Sequence, residues 1–180
     1  FDLTRIFGYP YLKDNGASMG VPIVTGLSTT EDKPSRNTVA ECYKAIIDDL
    51  TNSTELLSGN FTKGKFNKWA AMTLLSRVYL YKGDNIDALN TAEAAITGAE
   101  KSGFALWTNA EYPTAWGANS SATHPGEVLL EIVNLTTDSP GKESMGYLNS
   151  YNGYEDMCIT CSFYQLLKKD PKDVRLKLLS

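Results

Sequence analysis

Apolar positions along this chain recur mainly at three- and four-residue steps, the period of a helix with one buried face. The clearest run is Asn67 to Ile96, NKWAAMTLLSRVYLYKGDNIDALNTAEAAI. There Trp69, Met72, Leu75, Ser76, Tyr79 and Leu80 mark one face of a first helix, and Ile86, Leu89, Ala92 and Ile96 mark a second. Gly83-Asp84 hinges the two. Upstream, Thr38-Val39-Ala40-Glu41 has the form of a capping box, followed by a stripe of Val39, Tyr43, Ile46, Ile47, Leu50 and Leu57. Asp48-Asp49 fall off that stripe and read as solvated. Near the end, Ser162 is placed to cap a helix through Phe163, Leu166 and Leu167 that stops before Pro171. Glu127 to Asn134 (EVLLEIVN) is the best strand candidate, with a buried helix turn as the alternative. The pattern predicts a mostly α-helical fold, with no internal domain boundary over 1–180.

Two long irregular stretches interrupt the helices. Residues 8–37 are rich in Gly, Pro, Asn, Ser and Thr, yet Tyr9, Tyr11, Val21, Ile23 and Val24 predict apolar anchors, so this is an ordered loop. Residues 135–161 carry Gly141, Gly146 and Gly153 among several tyrosines. Within the hairpin, Ser76, Tyr79, Ala88 and Ala95 have the spacing of a tetratricopeptide-like unit, in which small residues let two helices close. Such a hairpin needs neighbours to bury its apolar surface, which implies a scaffold rather than a catalytic centre.

Composition narrows the partners. The 180 residues carry 17 Lys and Arg against 21 Asp and Glu, a net charge of −4, and no basic cluster interleaved with aromatics. That argues against nucleic acid. No apolar run approaches the length of a membrane span. The start FDLTRIF reads as the last turns of a helix, and the end DVRLKLLS stops inside an apolar pattern. The chain therefore reads as a piece of a longer protein, cut at both ends.

Reactive motifs are few. Cys158-Ile159-Thr160-Cys161 is a CxxC pair, but a zinc site would have to recruit Cys42 and His124, and redox use would want a βαβ setting. Two partly buried thiols are the simpler expectation, and Cys42 reads as a small buried hydrophobe. His124, the sole histidine, lies in NSSATHPGE with no nucleophile motif beside it. No carboxylate pair or phosphate loop stands out, so neither catalysis nor a metal or cofactor is expected. Four N-x-[ST] sequons, at Asn52, Asn60, Asn119 and Asn134, would mark glycosylation in a eukaryotic secreted protein and chance in a bacterial one. Aromatic loops are the better lead, because Trp and Tyr rings offer apolar faces and neighbouring Asn amides offer hydrogen bonds to a ligand. Trp107, Tyr112 and Trp116 concentrate in one stretch, and Tyr147, Asn149, Tyr151, Asn152 and Tyr154 in the other. Of these, Trp107, Trp116 and the five residues 147, 149, 151, 152 and 154 are the candidate ligand contacts; Trp69, Tyr79 and Tyr81 read as scaffold.

Specific wording goes beyond a generic repeat. Lys68-Trp69-Ala70-Ala71, Leu75 to Tyr81, Gly83-Asp84 and Ala88-Leu89 resemble the SusD-like (SusD/RagB) family of surface nutrient-binding lipoproteins of Bacteroidetes. Phe1 to Tyr11 resembles that family's helix end and Gly-x-Pro-Tyr turn, and Gly20-Val21-Pro22-Ile23-Val24 its "GVPLV" segment. Arg36 to Leu50 and Glu127 to Val133 follow in family order, as does Asp173-Val174-Arg175. The resemblance implies tetratricopeptide-like hairpins with long irregular insertions. It also implies non-catalytic capture of an oligosaccharide, or another nutrient, at the outer-membrane surface, and delivery to a SusC-like TonB-dependent transporter. The membrane link would be an N-terminal lipid anchor outside these residues. Leu12 to Met19 and the CITC segment match no family motif, so ligand contacts do not transfer residue by residue. The alternative is a helical-repeat module that binds a protein partner in a polar groove.

Overall fold

The structure is a computed structural model that describes residues 1–27, 29, 31–117, 126–133, 135 and 137–179. Helices α1 (Asp2–Phe7), α2 (Tyr11–Asp14), α3 (Val39–Leu56), α4 (Lys68–Lys82) and α5 (Asn85–Lys101) fall in a first compact unit, Phe1–Phe104. Helices α6 (Tyr112–Gly117), α7 (Met145–Asn149) and α8 (Cys161–Leu167), with 3-10 turns at Gly141–Glu143 and Val174–Leu178, fall in a second, Ala105–Ser180. The fold is mostly α-helical, and no strand occurs among the described residues.

The first unit is held by three long helices, with α4 packed between α3 and α5. The α3 cap forms as its sequence dictates: Thr38 Oγ1 accepts the Glu41 amide at 3.2 Å, and Glu41 Oε2 accepts the Thr38 amide at 2.8 Å. At the start of α4, the buried Asn67 side chain accepts the Ala70 amide at 3.0 Å. The other end closes on Gly83 at φ 95°, where the Gly83 and Asp84 amides both reach the Tyr79 carbonyl. That left-handed turn needs a glycine and reverses the chain into α5.

Because α4 has neighbours on two sides, a single stripe cannot describe it. Its fully buried positions are Ala70, Ala71, Leu75 and Val78, while Leu80 is exposed. Val78 joins Val39 and Tyr43 in the core, with Phe1, Tyr11, Ile46, Ile47 and Leu50 packed around them. On the opposite side the helices close through small residues. Ala88, Ala95 and Ala99 are the buried positions of α5, and Ser76 Oγ donates across the gap to the Ala88 carbonyl at 2.8 Å. The expected α5 stripe is therefore turned outward: Ile86, Leu89 and Ile96 are exposed. Alanine permits an approach that isoleucine and leucine would block, so the bulky residues take the other face.

Residues 8–37 are ordered, but polar groups order them more than apolar anchors. Tyr9 and Val24 are half exposed and Ile23 somewhat less so; of the expected anchors Tyr11 packs on the core, edge-on to the Tyr43 ring at 5.2 Å. Arg36 binds two carbonyls of this segment, Gly20 at 2.6 Å and Met19 at 2.9 Å, and the Phe7 carbonyl at the end of α1 at 2.9 Å. The Asp14 carboxylate accepts the Gly16 and Ser18 amides, each at 3.0 Å, and the Ser18 hydroxyl. A fixed guanidinium fork satisfies several carbonyls at once, which suits a segment without ladder or helix partners.

In the second unit, Glu127 to Val133 is irregular rather than a strand. An apolar run becomes a strand only when a neighbour supplies a hydrogen-bond ladder, and no ladder forms there among the described residues. Helix α8 starts earlier than expected, because Thr160, not Ser162, caps it by accepting the Phe163 amide at 3.2 Å.

Candidate functional site

The tyrosine loop predicted as a ligand contact is a built structure within the second unit. Ser144 caps α7 by accepting the Tyr147 amide at 3.2 Å. The chain then turns back so that the Tyr154 amide donates to the Tyr147 carbonyl at 3.1 Å and the Asp156 amide to the Leu148 carbonyl at 2.9 Å. Gly153 fits this turn because a Cβ there would stand 1.6 Å from the Tyr147 carbonyl oxygen. As a result the Tyr147 and Tyr154 rings meet edge to face at 5.3 Å. Tyr151 stands 82% exposed at the tip, Asn152 is exposed beside it, and Tyr154 is half exposed. Asn149 Nδ2 donates to the Met145 carbonyl at 2.9 Å, while its buried Oδ1 accepts no hydrogen bond. A buried acceptor without a donor is uncommon in a folded protein and suits a hydroxyl arriving from a ligand or water.

The second aromatic group has a different character. Trp107 is half buried, edge-on to Tyr112 at 6.4 Å, and lies against Gly126, where a Cβ would come within 1.8 Å of the indole nitrogen. Its ring is thus partly packed within its own loop. Trp116 stands in α6 with Tyr112, and its side chain lies outside what is described. No ring contact between described residues joins Trp107 and Tyr112 to the tyrosine loop. Beside α6, which packs on the Val174–Leu178 turn, Asp173 accepts the Arg175 amide and pairs with its guanidinium. That pairing holds the Asp173 carboxyl at about 2, well below its ordinary value.

Sequence reasoning missed a cavity in the first unit. It measures about 460 Å³ and is walled by residues of α1, the Gly8–Pro10 turn, α2, α3 and the end of α4. Arg5 stands at its polar side: the guanidinium lies 4.2 Å over the Tyr81 ring and Nη2 donates to Tyr81 Oη at 2.9 Å. Tyr9, Tyr11 and Tyr43 supply the other rings. Tyr81 had read as scaffold, Tyr43 as a core face and Tyr9 as a loop anchor. Each assignment treats one element at a time, whereas the cavity exists only where four helices and a turn converge. A shallower groove of about 650 Å³ lies between α4 and α5, with Trp69 and Met72 beside Lys68, Asn90, Glu93 and Thr97.

Among the described residues the reactive motifs do not assemble. Cys158 and Cys161 are free and exposed, not partly buried, and Cys42 is buried with its thiol donating to the Val21 carbonyl at 3.3 Å. His124 lies outside the described residues. Among the described residues no group of three or more His, Cys, Asp or Glu is arranged to hold a metal, and no helix is long and apolar enough to cross a membrane.

Comparison with known proteins agrees with the helical architecture. A SusD-like family described as starch-binding and associating with the outer membrane matches residues 1–80. A crystal structure of a provisionally named sugar binding protein from Bacteroides vulgatus ATCC 8482 is 80% identical, with a TM-score of 0.92 over 100% of this chain and 40% of its own. A SusD superfamily protein from the same strain is 41% identical, with a TM-score of 0.85 over 97% of this chain and 39% of its own. Another, from Bacteroides thetaiotaomicron VPI-5482, is 36% identical, with a TM-score of 0.79 over 99% and 39%. No curated protein matches the sequence. This chain belongs to the SusD-like family. It spans about two fifths of the length of these solved relatives.

Proposed function

We propose that this chain contributes to non-catalytic capture of a saccharide at the outer-membrane surface. The observation that carries the reading is the 80% identity, over the whole chain, to a protein provisionally named as sugar binding. The family's description as starch-binding and outer-membrane-associated supports it. Within the chain, the tyrosine loop fits the chemistry: the exposed Tyr151 and Tyr154 rings offer stacking faces, and Asn149 and Asn152 offer amides to hydroxyls. Trp107, half buried, and Trp116 remain candidates in the other stretch. Attachment through a lipid anchor on the longer protein and delivery to a SusC-like TonB-dependent transporter complete the proposal.

Affinity electrophoresis through gels containing starch, xylan or pectin tests the capture step. Retardation by at least one polymer, reduced in Tyr151→Ala and Tyr154→Ala, is the expected result; unretarded migration on all three would refute it. A reducing-end assay on the same polymers should show no turnover. Co-purification of the full-length protein with an outer-membrane transporter tests delivery. A second reading rests on the α4–α5 groove, whose mix of Trp69, Met72 and charged residues suits a peptide. It requires Lys68→Glu to abolish binding of a protein partner while leaving saccharide retardation unchanged.

A further inference from the structure

We infer that the Arg5–Tyr81 cavity of the first unit is a saccharide subsite separate from the tyrosine loop, sized for one or two pyranose rings. The inference rests on the saccharide reading above and deepens it. At about 460 Å³ the cavity lies within the range of small-molecule sites. Its chemistry is two-sided. Pro10, Leu12 and Leu80 with the Tyr9 and Tyr11 rings supply its apolar lining, and Tyr9, half exposed, offers a face for a sugar ring.

Arg5, Tyr43 and Tyr81 add donors to the lining. Arg5 is fixed by stacking on Tyr81, by the hydrogen bond to Tyr81 Oη and by a 3.3 Å ion pair with Asp2. Because Tyr81 Oη accepts that bond, its own proton is free to be donated inward. Tyr43 lies beside this group with its ring 4% exposed, and burial pushes its phenol above the ordinary value. Its hydroxyl therefore stays protonated at neutral pH. A wholly apolar occupant would cover a guanidinium and two phenols without replacing their hydrogen bonds with water, a penalty for each donor. A pyranose meets both sides, with C–H edges against the rings and hydroxyls against Arg5, Tyr43 and Tyr81.

The test is amide chemical-shift mapping on the full chain during titration with maltoheptaose, xylohexaose, oligogalacturonate and, separately, N-acetyl-tyrosinamide. A bound saccharide should shift amides of Gly8, Tyr9, Leu12 and Tyr81. Tyr9→Ala should weaken that saccharide about tenfold, and Tyr9→Phe should retain it. Tyr9 is half exposed, so its variants keep the core intact; unchanged amide spectra elsewhere confirm this. A saccharide that shifts only residues 144–156 would overturn the subsite and leave the proposed function standing. Occupation by N-acetyl-tyrosinamide alone, while saccharides bind elsewhere, would make this a protein-docking pocket and also overturn it. No saccharide binding by wild type at any site would overturn both.

Discussion

Gly98 and Trp69 provide the sharpest test of the hairpin packing. In an open helix, replacing an interior glycine with alanine stabilises by about 1 kcal/mol, because alanine orders less backbone freedom. Here a Cβ on Gly98 would stand 2.1, 2.3 and 2.8 Å from three carbons of the Trp69 ring. The indole cannot swing away cheaply, since its Nε1 donates to the Gly59 carbonyl at 2.9 Å and to Ser102 Oγ at 3.1 Å. Gly59 itself sits under the same ring, where a Cβ would be 2.8 Å away. Overpacking of this kind costs about 1–3 kcal/mol, and a clash with a fixed ring belongs at the upper end. Gly98→Ala should thus destabilise by about 1–2 kcal/mol net. In a Trp69→Leu background the colliding ring carbons are gone, and the same change should stabilise by about 1 kcal/mol. Urea unfolding followed by far-UV circular dichroism measures both, and with a slope of about 2 kcal/mol per molar the first shift is about 0.5–1 M. A Gly98→Ala effect of the same sign in both backgrounds would refute the packing argument.

Other consequences follow from single contacts. Thr38→Ala removes the α3 cap and should cost about 1 kcal/mol in urea unfolding, with Thr38→Ser recovering most of it; equal stability of the alanine variant would contradict the capping box. Val78→Ala opens a void beside Val39 and Tyr43 and should cost about 2 kcal/mol, whereas Leu80→Ala on the exposed side should stay within about 0.5 kcal/mol. The Asp173 carboxyl should titrate near 2 by carbon-detected NMR. Its folded value lies below the ordinary one, so its contribution to stability is full above about 4 and fades as pH falls through 2. Arg175→Gln should return the midpoint toward 3.8; an unchanged low midpoint would assign the shift to another cause.

The helical scaffold was readable because its signals are local. The capping box at Thr38 and the left-handed turn at Gly83 each depend on neighbours within one or two turns, and the Ser76–Ala88 contact joins two helices linked by that same short turn; each forms. Facing was harder. Hydrophobic periodicity places large apolar residues inward, but the α4–α5 contact selects alanines, which leaves Ile86, Leu89 and Ile96 outside. The strand expected at Glu127 to Val133 failed for a non-local reason, since ladder partners are not encoded in the run itself. For the candidate sites, tyrosine density in a glycine-bearing segment located the 144–156 loop, and its aromatic pairing followed from a turn that Gly153 permits. The Arg5–Tyr81 cavity left no such trace, because Arg5, Tyr43 and Tyr81 lie on three separate helices and each has an ordinary reading alone.

Calorimetric titration of this chain and of the full-length protein against plant, host and microbial oligosaccharides tests the central claim most directly. The account predicts saturable heat for at least one saccharide with the full-length protein, and with this chain as well if the aromatic loop suffices for capture. In the second case Tyr151→Ala and Tyr154→Ala should each weaken binding about tenfold. Absence of binding by both proteins across the panel would contradict saccharide capture and leave the α4–α5 groove as the functional surface.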